Sequence, residues 1–198
     1  HRSRGIAAEI INHCIKNDLL YEDAQHHNAV FVGKDDTGTP RFACMRGINS
    51  DLRKDAYGSD KEYSFCLPPR KLDSRHVAVF EAPIDALSHA TMQEMDGWKW
   101  NGYRLSLGGT SHVALFAFLE RRPEIRHVNL YMDSDYAGLK NACKIKDMLR
   151  ADPRFKHIRV GIHPPRQGKD YNELLQIKLQ ERQKTPTRRL EQQAAISI

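Results

Sequence analysis

The spacing of hydrophobic and polar positions changes twice along the chain. From Gly5 to Leu20 the apolar residues Ile6, Ile10, Ile11, Cys14, Ile15 and Leu19 recur at helical spacing, which predicts a helix that buries one face. The period then shortens. Asn28–Gly33, Arg41–Met45 and Tyr63–Leu67 read as strands, and the turn-forming Asp35-Asp36-Thr37-Gly38 predicts that the first two pair as a hairpin. Pro68 to Arg75 is polar and proline-marked, which places a boundary between two units there.

Beyond that boundary strands and helices alternate. His76–Phe80 is a continuous apolar run suited to a strand covered on both faces, and Pro83 stands where the first turn of a helix over Ile84–Glu94 tolerates proline. Tyr103–Leu107 is the next strand, with Gly108-Gly109-Thr110-Ser111 as turn and cap before a helix from His112 to Arg121. Val128–Met132 and Ile158–Ile162 are further strands, separated by a helix over Tyr136–Arg150. This alternation predicts an α/β fold, an open, mostly parallel four-stranded sheet flanked by helices, preceded by a small α+β domain. The domain ranges expected are 1–72, 73–175 and a polar basic tail over 176–198, read as mobile, with a solvated terminal helix as the alternative.

Composition narrows the function less than the pattern does. The formal net charge is +6, but the tail carries five Lys or Arg against two Asp or Glu, so half the excess lies there and the rest of the chain is only mildly basic. Arg53, Lys54, Lys61, Arg70, Lys71 and Arg75 have two readings, a DNA path or ordinary solvated surface. Cys14, Cys44, Cys66 and Cys143 show no metal-ligand spacing and are expected to be reduced and mostly buried. His26-His27 is read as surface. No apolar run approaches a membrane span or a signal peptide, so the expectation is a soluble, cytoplasmic protein without a membrane partner. The chain opens on His1 rather than Met, and a preceding segment is expected in the parent protein.

The acidic residues are the strongest chemical signal. In open parallel sheets ligands bind outside the carboxyl ends of the strands. Glu81 directly follows the first strand of the predicted sheet, Asp133 and Asp135 follow the third, and Asp170 lies a short loop beyond the fourth. Residues two apart at an extended strand end point the same way, so Asp133 and Asp135 can present both carboxylates to one cation. Hard oxygen donors suit Mg²⁺, with Mn²⁺ as a substitute, and imply metal-assisted phosphoryl or nucleotidyl transfer with Glu81 as proton acceptor or further ligand. Asp135 has a second reading as a helix cap. Asp85 divides between the ligand shell and a favourable interaction with the helix dipole. Gly109 and its neighbours divide between an anion contact through free amides and plain turn chemistry. Other templates fail. An EF-hand starting at Asp133 would need an oxygen ligand and a Glu where Ala137 and Lys144 stand, Gly168-Lys169 lacks a P-loop, and Gly108–Ser111 lacks a nucleophile elbow.

Phe80-Glu81-Ala-Pro-Ile-Asp85, Ser106-Leu-Gly-Gly-Thr110, Tyr131-Met-Asp133-Ser-Asp135-Tyr-Ala-Gly138 and Gly168-Lys-Asp170-Tyr-Asn172-Glu together resemble a toprim domain. That catalytic module is shared by bacterial primases, type IA and type II topoisomerases and some nucleases. Arg4-Gly-Ile6, Leu19–Glu22, Val30–Gly33 and Gly58–Lys61 look like the small domain of unknown function that precedes the toprim in proteins of bacterial plasmids and conjugative elements. The resemblance implies Glu81 as acid/base or metal ligand, Asp133 and Asp135 as Mg²⁺ ligands, and Lys169, Asp170 and Gly109 on the substrate side. It implies single-stranded DNA and nucleotides as partners, along with replication or relaxosome proteins. Primases usually carry Gly after the catalytic Glu, where this chain has Ala82. The leading expectation is primase-like primer synthesis for a mobile element; a toprim nuclease or nicking enzyme and a non-catalytic DNA-binding module are the rivals.

Overall fold

A computed structural model describes residues 4–48, 50–69, 73–97 and 101–196, with side chains described as far as residue 184. Helix α1 spans Ala8–Lys16, shorter than the apolar period suggests, because Asp18 adopts a left-handed conformation (φ 52°) and turns the chain back. Ile10 and Cys14 form its buried stripe. Four antiparallel strands follow: β1 (Leu20–Glu22), β2 (Ala29–Lys34), β3 (Pro40–Arg46) and β4 (Arg53–Asp55), paired in that order. The predicted hairpin is β2–β3. The edge strands β1 and β4 have three residues each, too few to carry a hydrophobic period. Gly33 in β2 has a steric reason, since a Cβ there would lie 1.6 Å from the Tyr63 carbonyl oxygen.

The second sheet has order β5–β7–β6–β8–β9, from β5 (Cys66–Leu67), β6 (His76–Phe80), β7 (Tyr103–Ser106), β8 (His127–Tyr131) and β9 (Arg159–Ile162). The four predicted strands run parallel, and β5 adds an antiparallel fifth on the edge of β7. Two corrections to the strand reading follow. Tyr63 ends a short 3-10 turn rather than opening a strand, and Cys66–Leu67, grouped by pattern with the first unit, pairs with the second sheet. Between the strands lie α2 (Pro83–Met95), α3 (Val113–Arg121) and α4 (Tyr136–Ala151), and α5 starts at Tyr171 and runs to Ile196.

Strand β6 shows how the layers form. Val77 and Val79 point into a core built with α3 and α4. Ala78 and Phe80 point the other way, into a core shared with α1, α2, the start of α5, and Phe31, Phe42 and Cys44 of the first sheet. The N-terminal unit therefore packs on one face of the parallel sheet. Helix α2 is buried almost all round as the sandwiched layer, and Thr91 on it accepts a hydrogen bond from the Ala7 amide at 3.1 Å. The tail takes the helical alternative. Leu175 and Leu179 pack in this core or against it, and Lys178 and Arg182 pair with Asp96 at the end of α2, at 2.7 and 3.2 Å. Cys14 and Cys44 are buried as expected, but Cys66 is half-buried and Cys143 faces out from α4.

Candidate active site

The order β7–β6–β8 makes the carboxyl ends of β6 and β8 the point where successive connections part to opposite sides, the position at which open α/β sheets leave a crevice. The register pairs Phe80 with Tyr131, so the next residues out bring Glu81 and Asp133 together. The Asp133 amide donates to Glu81 Oε1 at 3.4 Å, and the Glu81 carbonyl accepts from the Gly109 amide at 3.0 Å. That second bond settles one of the open readings about Gly109. Its amide is engaged in holding the Glu81 backbone and is not free for an anion, although the residue lines the cleft.

Asp133 and Asp135 do face one point, and Lys169 occupies it. Its ammonium lies 3.9 Å from Asp133 Oδ2 and 3.4 Å from Asp135 Oδ2. Asp135 also caps α4, accepting from the Gly138 amide at 2.8 Å, which is the helix-cap reading of that residue. Gly138 is required for this approach, because a Cβ there would stand 2.4 Å from the Asp133 carbonyl oxygen. The loop carrying Lys169 is held in turn. The Ser134 amide donates to the Lys169 carbonyl at 2.8 Å, the Ser134 hydroxyl to the Gly168 carbonyl at 3.0 Å, and the Lys169 amide to Glu173 at 2.7 Å. Asp170 caps α5 through the Glu173 amide at 2.8 Å.

Burial sets the electrostatics. Desolvation raises the Glu81 carboxyl above its usual range, and the Asp133 charge adds to it. Desolvation and then Asp170 raise Asp133, against the pull of Lys169 and, from β4, of Arg53. Asp135 is lowered, first by the Gly138 amide. Asp85, on the first turn of α2, is pushed up to about 8 by burial, with Asp170 and Asp133 contributing. It is fixed by the Asn172 amide at 3.1 Å. The buried Asn172 side chain donates to the Arg4 carbonyl at 2.8 Å and to Ser88 Oγ at 2.9 Å, which knits α2, α5 and the N-terminal segment behind the acids.

These acids form one wall of a cleft of about 690 Å³, lined by Glu81, Asp85, Asp133 and Asp170 on one side and by the N-terminal unit on the other. The facing wall is mixed in charge, with Arg4, Arg46, Arg53 and Lys54 beside Glu22, Asp51 and Asp55. Glu22, Ala29, Arg46 and Arg53 stand side by side across the four strands and all line the cleft. They lie two residues from Leu20, Phe31, Cys44 and Asp55 on the same sheet face. Arg46 and Arg53 are direct cross-strand partners, and among the described residues neither has an ion pair. Like charges placed directly opposite are unfavourable, so this pair suits an anion. Of the basic residues singled out in the sequence, Arg53 and Lys54 line the cleft. Lys61 pairs with Asp55 at 3.2 Å, and Arg75 precedes β6 at the end away from the acids. Arg70 and Lys71 lie outside the described residues. Arg46 was not singled out; only its register opposite Arg53 distinguishes it from other surface arginines.

The donor set fits a hard divalent cation in its chemistry, with carboxylates of short reach converging where an ammonium now stands. Among the described residues no three ligand-type side chains converge closely enough to coordinate an ion as placed. No described helix is long and apolar enough to cross a membrane.

Comparison with known proteins agrees with this architecture. Residues 78–175 match the Toprim-like family, and residues 1–71 match a family described as a protein of unknown function, DUF3991. The chain is a toprim-domain protein. More narrowly, it is one in which a DUF3991 domain precedes the toprim. A 65 kDa protein of Zymomonas mobilis is 25% identical over 181 residues, which cover 89% of this chain and 30% of that protein. The chain thus spans less than a third of that relative's length. Among solved structures, the primase fragment of the bacteriophage T7 primase-helicase protein superposes with a TM-score of 0.61 at 20% identity, covering 87% of this chain and 67% of that one. A DnaG primase catalytic domain bound to single-stranded DNA superposes with a TM-score of 0.55 at 15% identity, covering 88% and 67%. The shared fold extends over both units, since each superposition covers far more of the chain than the toprim match alone.

Proposed function

We propose that the protein carries out metal-assisted nucleotidyl transfer on DNA, as a primase-like enzyme using single-stranded DNA and nucleotides. The observation that carries this reading is the cleft in which the strand-end acids Glu81 and Asp133 share a lining with the cross-strand pair Arg46 and Arg53 of the N-terminal sheet. A cation belongs at the acids and phosphate oxygens at the arginines. A phosphate held between them meets both, which is the usual arrangement for stabilising charge in phosphoryl chemistry.

In this reading Glu81, Asp133 and Asp135 hold Mg²⁺ or Mn²⁺, which supplies charge neutralisation on the phosphate oxygens when bound. Arg46 and Arg53 hold the nucleotide's phosphates. A hydroxyl oxygen forms the new bond to phosphorus as the pyrophosphate group leaves, and Glu81, raised by burial, is placed to accept the hydroxyl proton or to complete the donor set. Lys169, tethered through its loop to Ser134, shifts from the aspartates to the phosphates. Asp170 and Asn172 fix the start of α5 and with it this loop. The fold shared with a DnaG primase catalytic domain bound to single-stranded DNA supports the same substrate class. Replication of a bacterial mobile element is the setting we infer, from the resemblance of the paired domains.

The test is to incubate the chain and Glu81→Gln with Mg²⁺, labelled nucleotides and single-stranded DNA and to resolve the products by size. New short polymers that the variant does not make are the expected result. Shortened DNA in their place would make the chain a nuclease, and no product of either kind would leave only DNA binding.

A further inference from the structure

The cleft has a third surface that phosphate and metal chemistry do not use. Beside the arginine pair the lining includes aliphatic side chains among polar ones such as Ser50 and Asp51. Ile48 lies two residues past Arg46 and Leu52 one residue before Arg53, and Ile11 and Ile15 lie one helical turn apart on α1. Ile15, Ile48 and Leu52 are 50%, 44% and 38% exposed, well above the buried core, yet all line this one cavity. Aliphatic side chains left open to solvent beside charged walls mark a place where an apolar group of a ligand is buried. Ile10 and Cys14 of α1 are buried in the core and Ile11 packs against it, whereas Ile15 belongs to neither core cluster and stays half exposed.

We infer that this aliphatic patch is a nucleobase subsite, which holds the base of a nucleoside triphosphate whose phosphates lie between Arg46/Arg53 and the strand-end acids. The assignment rests on the nucleotidyl-transfer reading above and adds where the base goes. Three features select this occupant. The volume of about 690 Å³ is that of a small-molecule site rather than a protein groove. Ile48 and Leu52 adjoin Arg46 and Arg53 in the chain, as a base adjoins the phosphates of its nucleotide, and the strand-end acids line the same cleft. Aliphatic side chains meet the flat faces of a ring and not its hydrogen-bonding edge, so purines and pyrimidines are accepted alike, as an enzyme copying a template requires.

The test compares binding of ATP and of inorganic tripolyphosphate, each with Mg²⁺, by calorimetry on the wild type, on Ile15→Ser/Leu52→Ser and on the conservative Ile15→Val/Leu52→Val. Both positions are solvent-exposed, and an unchanged tripolyphosphate affinity and melting temperature show that a variant is folded. The wild type is expected to bind ATP about tenfold more tightly than tripolyphosphate. The serine variant loses that margin while keeping tripolyphosphate affinity, and the valine variant retains it. Equal affinity of the wild type for both probes would overturn the base subsite while leaving the phosphate site standing. A serine variant that keeps the margin would overturn it too. Failure of both probes to bind the wild type would overturn both readings. If the serine variant instead loses affinity only for an unphosphorylated single-stranded oligonucleotide, a base of the strand occupies the slot and the mononucleotide assignment is wrong.

Discussion

The Lys169 ammonium stands 3.4 Å from Asp135 Oδ2 and 3.9 Å from Asp133 Oδ2, at the point on which the two strand-end aspartates converge. A cation binding there competes with an ammonium that belongs to the protein itself. Removing it should therefore help metal binding even where it harms turnover. Lys169→Met is expected to lower the Mg²⁺ concentration at half-maximal thermal stabilisation by up to about fivefold, the scale of an exposed ion pair. A midpoint that rises would mean that Lys169 organises the site rather than competing for it.

Gly138 offers a test in which propensity and packing have opposite signs. In an ordinary exposed helical position Gly→Ala stabilises by about 1 kcal/mol. Here the added methyl meets the Asp133 carbonyl oxygen at 2.4 Å, so Gly138→Ala should destabilise by about 1–3 kcal/mol in urea and weaken the Mg²⁺-induced shift. A stabilised variant would show that the first turn of α4 is not tight against Asp133.

His89 makes acid stability testable away from the acids. It is buried among Phe80, Tyr131 and Tyr171, and desolvation lowers its pKa from 6.5 to about 3. Between those values the unfolded chain binds a proton that the folded chain does not. The folded state thus loses stability as pH falls below 6.5, by roughly 1.4 kcal/mol per pH unit from this group. His89→Leu should flatten the dependence of melting temperature on pH from 6 to 4. Parallel curves for wild type and variant would show that His89 is protonated or accessible in the folded state.

Asn172 joins three segments behind the acid wall through its bonds to the Arg4 carbonyl and Ser88 Oγ. Asn172→Ala removes the bonds that tie the Arg4 carbonyl and Ser88 Oγ to α5 and is expected to cost about 1–2 kcal/mol, together with faster proteolysis near Arg4. An unchanged unfolding midpoint would mean that water replaces the side chain without loss.

Much of this site could be read from the sequence because its parts are locally encoded. Glu81, Asp133 and Asp135 sit directly after apolar runs whose period marks them as strands, and the strand-end rule then brings them together without knowledge of the register. Gly138 is audible in the same run. The arginine pair is less legible for a physical reason. Arg46 and Arg53 belong to a short edge pairing, β3–β4, and β4 has only three residues, so neither its existence nor the direction its side chains face shows in the pattern. Gly109 shows the converse limit. Its turn was recognised, but whether its amide is free depends on the Glu81 carbonyl far away in sequence. The aliphatic slot was invisible, since Ile11 and Ile15 read as part of the same apolar period as the truly buried Ile10 and Cys14. The helical course of the tail was likewise underdetermined, because its anchor is Asp96, on another helix.

The account turns on the Arg46–Arg53 pair and the strand-end acids acting on one phosphate-bearing substrate, and a double-mutant cycle measures that directly. Affinity for ATP with Mg²⁺ would be determined for the wild type, Arg53→Ala, Asp133→Asn and the double variant. Each single change is predicted to weaken binding, and the double variant to lose less than the sum of the two by at least about 1 kcal/mol, because either change alone already loosens the shared phosphates. Strictly additive losses would mean that Arg53 and Asp133 act on separate ligands, and the cleft would not be the nucleotide site described here.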